Sequence, residues 1–294
     1  MRLKELHLEL NHSCNLNCLM CEHPLAAPSE GLARADLDAI LSSRTLMEAE
    51  TVSLTGGEPT LSKIFSPAAN ALSAAGKRLI ILTNLYDISA LDLFLKGLPP
   101  RRRARVHIGS SVDGLEATHN SIRGNGEAFG RLVKNLLFLK KKRGVSLSLT
   151  FTVSRLNRLE FGEVFDFFYG GEGVPVLPQY VIPSRPENYA ILPDEKEKTE
   201  FAEDLKRISG RTPAAGLFFS AFTGESGKKK KCGAGLDFLF VSPEGDIYAC
   251  PQNKKLTLGS IRSGNIDKIL EGRPEALRGL GTKNCGACLL RCKT

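Results

Sequence analysis

Along the first part of the chain, short apolar runs alternate with stretches whose apolar residues recur at helical spacing. The runs at 6–11, 51–55, 78–83, 105–111, 146–153 and 174–182 are rich in Val, Ile, Leu and Thr. They read as strands, and several are apolar on both faces, as parallel strands covered by helices are. Helical patterns fall between them at 35–49, 66–76, 88–97, 127–143 and 158–169. This alternation predicts an α/β fold with a parallel sheet and right-handed crossovers. Periodicity leaves two architectures open, an incomplete barrel and an open doubly wound sheet.

The rhythm stops where Pro183-Ser184-Arg185-Pro186 interrupts it. Residues 193–208, opening on Pro193-Asp194-Glu195, predict a capped helix. A Gly-, Ser- and Lys-rich stretch over 209–231 reads as a linker. Beyond Cys232 the texture changes to a strand at 237–242, a Pro243-Glu244-Gly245-Asp246 turn, a return strand at 247–250 and a helix at 265–271. The expected organisation is therefore a first domain over 1–190, a helix and linker over 191–231, and a small C-terminal module over 232–294.

Composition narrows the class. With 294 residues, 42% hydrophobic and 24% charged, the chain can bury a core without staples, which excludes disorder and a small disulfide scaffold. Met1-Arg2-Leu3-Lys4-Glu5 opens no signal peptide, and no run of ~18 apolar residues occurs, so a cytoplasmic protein is expected. The net charge of +8 gathers in three runs, 101–103, 140–143 and 228–231. These are solvated surface or a lure for an anionic partner. Without interleaved aromatics they give no reason to expect nucleic acid.

The eight cysteines carry the chemistry. They form two groups, Cys14, Cys18 and Cys21, then Cys232, Cys250, Cys285, Cys288 and Cys292, with none between. Local clusters in a large chain point to metal rather than to disulfides. The first group is Cys-x3-Cys-x2-Cys just past the first strand. Three thiolates on one loop can hold three corners of an iron–sulfur cube and leave the fourth iron open. Zinc is the alternative, with His12 or His23 as fourth ligand.

Further motifs follow at the ends of later strands: Thr55-Gly56-Gly57-Glu58-Pro59, Thr83-Asn84, and Ser110-Ser111-Val112-Asp113-Gly114 with His119-Asn120 and Arg123-Gly124. Glycines let backbone approach a ligand closely, and Glu58 can receive an ammonium group. With the cysteine loop, these segments resemble the radical S-adenosylmethionine (SAM) superfamily. Met20 stands where that superfamily usually has an aromatic residue. The resemblance implies a partial (β/α)6 TIM-like barrel, with a [4Fe-4S] cluster on Cys14, Cys18 and Cys21 and SAM at its open iron. It also implies SAM contacts from Gly56, Gly57, Glu58, Pro59 and Asn84, with Ser111 and Asp113 on the ribose side and Arg123 for the carboxylate.

The C-terminal segment Phe240 to Cys250, followed by Leu258-Gly259-Ser260-Ile261, resembles the SPASM and Twitch extensions that carry auxiliary clusters. Five cysteines are too few for the two clusters of a full SPASM domain. The resemblance thus implies one auxiliary [4Fe-4S] cluster on Cys232, Cys250, Cys285 and Cys288, with Cys292 spare or in place of Cys288. A four-thiolate zinc site is the alternative there. The implied activity is reductive cleavage of SAM to a 5′-deoxyadenosyl radical that removes a hydrogen atom from substrate, with electrons from a donor such as flavodoxin or ferredoxin. Net oxidation of a small molecule is the first expectation. Modification of a peptide or protein side chain is its rival, and a non-catalytic metal-binding scaffold is the reading from another class.

Overall fold

The computed structural model describes residues 2–23, 30–182, 186–210, 233–251, 254 and 257–272. Six parallel strands build the first part: β1 Glu5–Glu9, β2 Thr51–Thr55, β3 Arg78–Leu82, β4 Val106–Ser111, β5 Ser146–Val153 and β6 Val176–Tyr180. Between and after them lie α1 Arg34–Ser42, α2 Phe65–Ala74, α3 Ser89–Gly97, α4 Pro100–Arg103, α5 Glu116–Arg123, α6 Ala128–Lys140, α7 Phe161–Phe165 and α8 Glu195–Ser209. Each strand pairs with its sequence neighbour, in the order β6-β5-β4-β3-β2-β1. A doubly wound sheet reverses its strand order at a switch point. This order never reverses, so the architecture is of the barrel type, and the sheet stays open.

Beyond β1 the sheet continues. Strand β7 Phe238–Val241 pairs parallel to β1, placing Leu8 opposite Val241. Strands β8 Asp246–Tyr248 and β9 Thr257–Ser260 follow antiparallel, and helix Ile266–Glu271 comes after them. The hairpin read from the sequence is therefore an extension of the same sheet. Its first strand carries the chain to the edge where β1 ends. Nothing in the periodicity of 237–242 marks it as the partner of β1, because pairing between distant strands is set by packing and not by local pattern.

Leu6, Leu8, Val52, Leu54, Leu79, Ile81, Ile108, Leu149 and Phe151 are buried in one continuous core. Several elements depart from expectation for identifiable reasons. The helix expected over 35–49 ends at Ser42, and a separate turn follows at Leu46–Glu48, held by the Asp267 carboxylate. Strand β6 is shorter than 174–182 and contains Pro178, which is accommodated because β6 is a sheet edge. Helix α7 gives way to a wider turn at Asp166–Gly171, where two glycines weaken the helix. Helix α5 was not among the expected elements, because only His119 and Ile122 of its residues are buried, too few to form an apolar stripe. Helix α8 matches its expectation, with Asp194 and Glu197 forming a reciprocal capping box.

Of the basic runs, Arg101 and Arg102 face solvent, while Lys140 pairs with Glu172 at 2.8 Å and Lys142 with Asp92 at 2.6 Å. The run at 228–231 lies outside the described residues. Among the described residues, no helix is long and apolar enough to cross a membrane.

Candidate functional site

The C-terminal ends of β1 to β4 converge on the cysteine loop. Cys14, Cys18 and Cys21 are free thiols, packed in one small cluster with Leu16, Met20, Tyr86 and Ala128. The loop backbone is tied to the end of α5: Asn17 N donates to Arg123 O (3.3 Å) and Leu19 N to Ile122 O (2.9 Å). Gly124 ends that helix in the left-handed region at φ 65°, and a Cβ there would lie 2.5 Å from Asn17 O. Burial, reinforced by the Cys18 and Cys14 thiols, pushes Cys21 up to about 11. A metal's positive charge is what turns such thiols into thiolates.

The three thiols fit an iron–sulfur cube. Two N–H donors aim at their sulfurs, Asn84 Nδ2 at Cys14 (3.7 Å) and Arg123 Nη1 at Cys18 (3.6 Å). Hydrogen bonds to ligand sulfurs tune a cluster's potential. A lone zinc, at ~2.3 Å per zinc–sulfur bond, draws its thiolates closer than 4.8 Å. Among the described residues, only Glu9, His12 and His23 bring three donor atoms that close together. His12 and His23, weighed from sequence as zinc partners of the cysteines, thus gather around a different residue.

The Gly-Gly-Glu segment lies against the cysteine loop itself. Gly57 N donates to Asn11 O (2.9 Å), Glu58 N to Ser13 O (2.8 Å), and Asn11 Nδ2 returns a bond to Glu58 O (3.1 Å). A Cβ on Gly57 would sit 2.4 Å from the carbonyl oxygens of His12 and Ser13. The glycines therefore serve an approach of backbone to backbone, where the sequence suggested an approach to ligand. Glu58 is 1% exposed. Its carboxylate accepts from Thr60 N (3.1 Å), Thr60 Oγ1 (2.7 Å) and Asn84 N (2.8 Å). Burial raises its pKa, with the Asn84 and Thr60 donors working against that rise. In this structure Glu58 joins the ends of β2 and β3 rather than presenting a free carboxylate to an ammonium group. Asn84 completes the join through Asn15 Oδ1 (2.7 Å) and Tyr86 N (2.8 Å).

Asp113 is fully buried. It pairs with Arg123 Nη2 at 2.5 Å, and its other oxygen accepts from Thr152 N at 3.2 Å. Asp113, expected on the ribose side of SAM, has its side chain enclosed beneath Arg123, which it anchors. Burial opposes the charge of Arg123, but Asp113 and Cys18 outweigh it and raise its pKa. His119 Nδ1 accepts the Asp113 N–H at 3.1 Å, and burial followed by the Arg123 charge lowers His119 to about 3. Ser111 ends β4 at the same edge, half-buried.

Beside Cys21 lies a groove of about 220 Å³, lined by Met20, Glu22, His23, Thr152, Gln179 and Tyr180 among others. Cys250 is half-buried after β8, while Cys232, Cys285, Cys288 and Cys292 lie outside the described residues. The residue that sequence reasoning passed over is Glu9. In Glu-Leu-His-Leu-Glu it alternates like a solvent-facing position, yet it is 4% exposed. The available signal was that a parallel strand with neighbours on both sides has no solvent-facing side.

No protein-family model matches the chain. It is 24% identical over 314 aligned positions to the AdoMet-dependent heme synthase of Methanosarcina barkeri, covering 95% of this chain and 86% of that one. It is 27% identical over 215 positions to a probable GTP 3′,8-cyclase of Saccharolobus islandicus, covering 70% and 66%. Among solved structures, anSMEcpe with bound AdoMet superposes with a TM-score of 0.73 at 20% identity, over 93% of this chain and 82% of that one. Streptococcus suis SuiB bound to precursor peptide SuiA gives 0.66 at 14% identity, over 92% and 64%.

Proposed function

The chain belongs to the radical SAM superfamily, and on that premise we propose that Cys14, Cys18 and Cys21 hold the [4Fe-4S] cluster that the family uses with SAM. When bound, that pair supplies a 5′-deoxyadenosyl radical, which removes a hydrogen atom from substrate. The observation that carries the assignment is three free thiols on one loop, clamped by the Gly-Gly-Glu segment on one side and α5 on the other.

The remaining residues take roles that fit their burial. The Gly56–Pro59 backbone and Ser111 border the place for SAM, with Arg123 beside Cys18 to meet its carboxylate. Glu58, Asn84 and Asp113 act behind them as positioning residues. We further assign one auxiliary [4Fe-4S] cluster to Cys232, Cys250, Cys285 and Cys288, with Cys292 spare or replacing Cys288. The chain then divides into the barrel over 1–190, the helix and linker over 191–231, and the auxiliary module over 232–294. A cytoplasmic setting with a flavodoxin- or ferredoxin-type electron donor follows from this chemistry.

For the substrate, the groove beside Cys21 admits a small group, which supports net oxidation of a small molecule. A peptide side chain is the second reading, favoured because anSMEcpe and SuiB were both solved with peptides. Anaerobic reconstitution with SAM and a reductant tests the core assignment: 5′-deoxyadenosine should form, and a Cys18→Ala chain should form none. Equal yields from the two chains would sink it. About eight iron and eight sulfide per chain would support two clusters, and about four with zinc present would refute the auxiliary one. Incubation with a peptide library against small alcohols, followed by mass spectrometry, separates the two substrate readings.

A further inference from the structure

Glu9, His12 and His23 each offer one donor atom, and all three atoms lie within 4.8 Å of one another. His23 Nε2 stands 3.4 Å from Glu9 Oε1, and His12 Nε2 stands 4.0 Å from the same oxygen. Metal–ligand bonds of ~2.0–2.2 Å at tetrahedral angles hold donor atoms roughly 3.4 Å apart, and wider angles spread them further. The observed separations are long for hydrogen bonds and suit ligands around one small ion.

Two further observations point to a ligand. Glu9 is 4% exposed, and its Oε2 has no hydrogen-bond partner among the described residues. A buried carboxylate oxygen left so is expensive unless a cation answers it. The other ring nitrogen of His12, Nδ1, also lacks a hydrogen bond and faces Glu244 Oε1 at 3.8 Å. A histidine with one nitrogen toward the metal and the other toward a carboxylate is the usual outer-shell arrangement of metal sites. Glu244 is brought there because β7 runs parallel to β1 and ends beside it.

We propose that Glu9, His12 and His23 form a divalent metal site of the zinc class, distinct from the cysteine clusters and supported by Glu244. Two imidazoles and one carboxylate suit zinc and its first-row neighbours rather than calcium or magnesium, which prefer all-oxygen shells. The competing occupant is Lys254, whose Nζ lies 3.7 Å from Glu9 Oε2. That side chain is 39% exposed and long enough to swing away. His23 also lines the groove beside Cys21. An ion here would stand at the groove wall, within reach of an oxygen donor on whatever binds. The proposal does not depend on the radical SAM reading.

The experiment uses the full chain with its cysteines already occupied by reconstituted iron and sulfide, titrated with zinc against a chelator of known affinity. Wild type should retain one equivalent of zinc beyond the His23→Ala and Glu9→Gln chains, with iron and sulfide equal in all three. Glu244→Gln should weaken that equivalent by ~10-fold or more, and Lys254→Met should tighten it. Cobalt in place of zinc should give d–d bands without a thiolate charge-transfer band, a signature that does not rely on the variants folding. Zinc content equal across wild type and both ligand variants, or a cobalt spectrum dominated by thiolate, would overturn the site. So would a wild-type chain that retains no zinc while Lys254→Met also retains none.

Discussion

Glu58 and Glu9 are the same kind of group at the same depth, on neighbouring strand ends, and they are answered in opposite ways. Glu58, 1% exposed, receives three N–H or O–H donors from Thr60 and Asn84. Glu9, 4% exposed, has an oxygen with no hydrogen bond, a lysine at 3.7 Å and two histidines beside it. A satisfied buried carboxylate stiffens a scaffold, since removing it would orphan its donors. Glu9 is met only by a partly exposed lysine and two histidines, an arrangement with room for an added cation. The carboxylate that joins β2 and β3 is thus framework, and the one at the end of β1, toward β7, is the proposed metal ligand.

The largest effect expected from breaking the framework side is at Gly57. A Cβ there meets two carbonyl oxygens at 2.4 Å, both backbone and unable to swing away. Gly57→Ala should displace the cysteine loop and lower reconstituted iron by about the four atoms of one cube. Gly130, inside α6 with nothing within 4 Å of its Cβ position, provides the control. Gly130→Ala should leave iron unchanged and raise stability by ~0.5–1 kcal/mol. Iron retained in full by Gly57→Ala would show that the loop does not need this close approach.

The next test sets the two carboxylates against each other directly. Glu58→Gln turns an accepting oxygen into a donor facing Asn84 or Thr60 and should cost on the order of 2–3 kcal/mol. Glu9→Gln removes charge, leaves only the partly exposed Lys254 without its ion pair, and should fall within ~0.5 kcal/mol of wild type. Urea unfolding of both chains, with no divalent metal added, gives the comparison. Equal losses would mean that Glu9 is framework too.

How far this contrast could be read in advance depends on which interactions are local. The strand–helix rhythm, the cysteine loop, the Gly-Gly-Glu segment and the Asp194–Glu197 box are set by residues close in sequence, and they stand where the pattern put them. The partnership of β7 with β1, and hence of Glu244 with His12, spans more than two hundred residues and leaves no local trace. Motif resemblance located Glu58 and Asp113 correctly at strand ends, but could not tell that both point into protein. Burial is a property of the assembled sheet. Composition at Glu9 was misleading, because alternation in a strand implies solvent only when one face is open.

The smallest expected effect sharpens the same distinction at a third carboxylate. Asp267 holds the turn after α1, accepting from Ser43 Oγ (2.7 Å), Thr45 N (2.9 Å) and Arg44 N (3.1 Å). Burial would raise its pKa, but these donors outweigh it and bring Asp267 down to about 2. An unfolded aspartate titrates near ~3.9. Because the folded value is the lower one, the stabilisation is fully present above pH ~4 and is lost as pH falls from ~4 through 2. After allowance for solvent screening it amounts to on the order of 1 kcal/mol at neutral pH. The stability difference between wild type and Asp267→Asn should therefore hold steady from neutral pH down to ~4 and shrink below it. Acid loss of iron–sulfur clusters is common to both chains and cancels in that difference. A difference that stayed constant through acid would mean that the three donors hold the turn without the charge, and that donor count alone does not separate framework carboxylates from the one at Glu9.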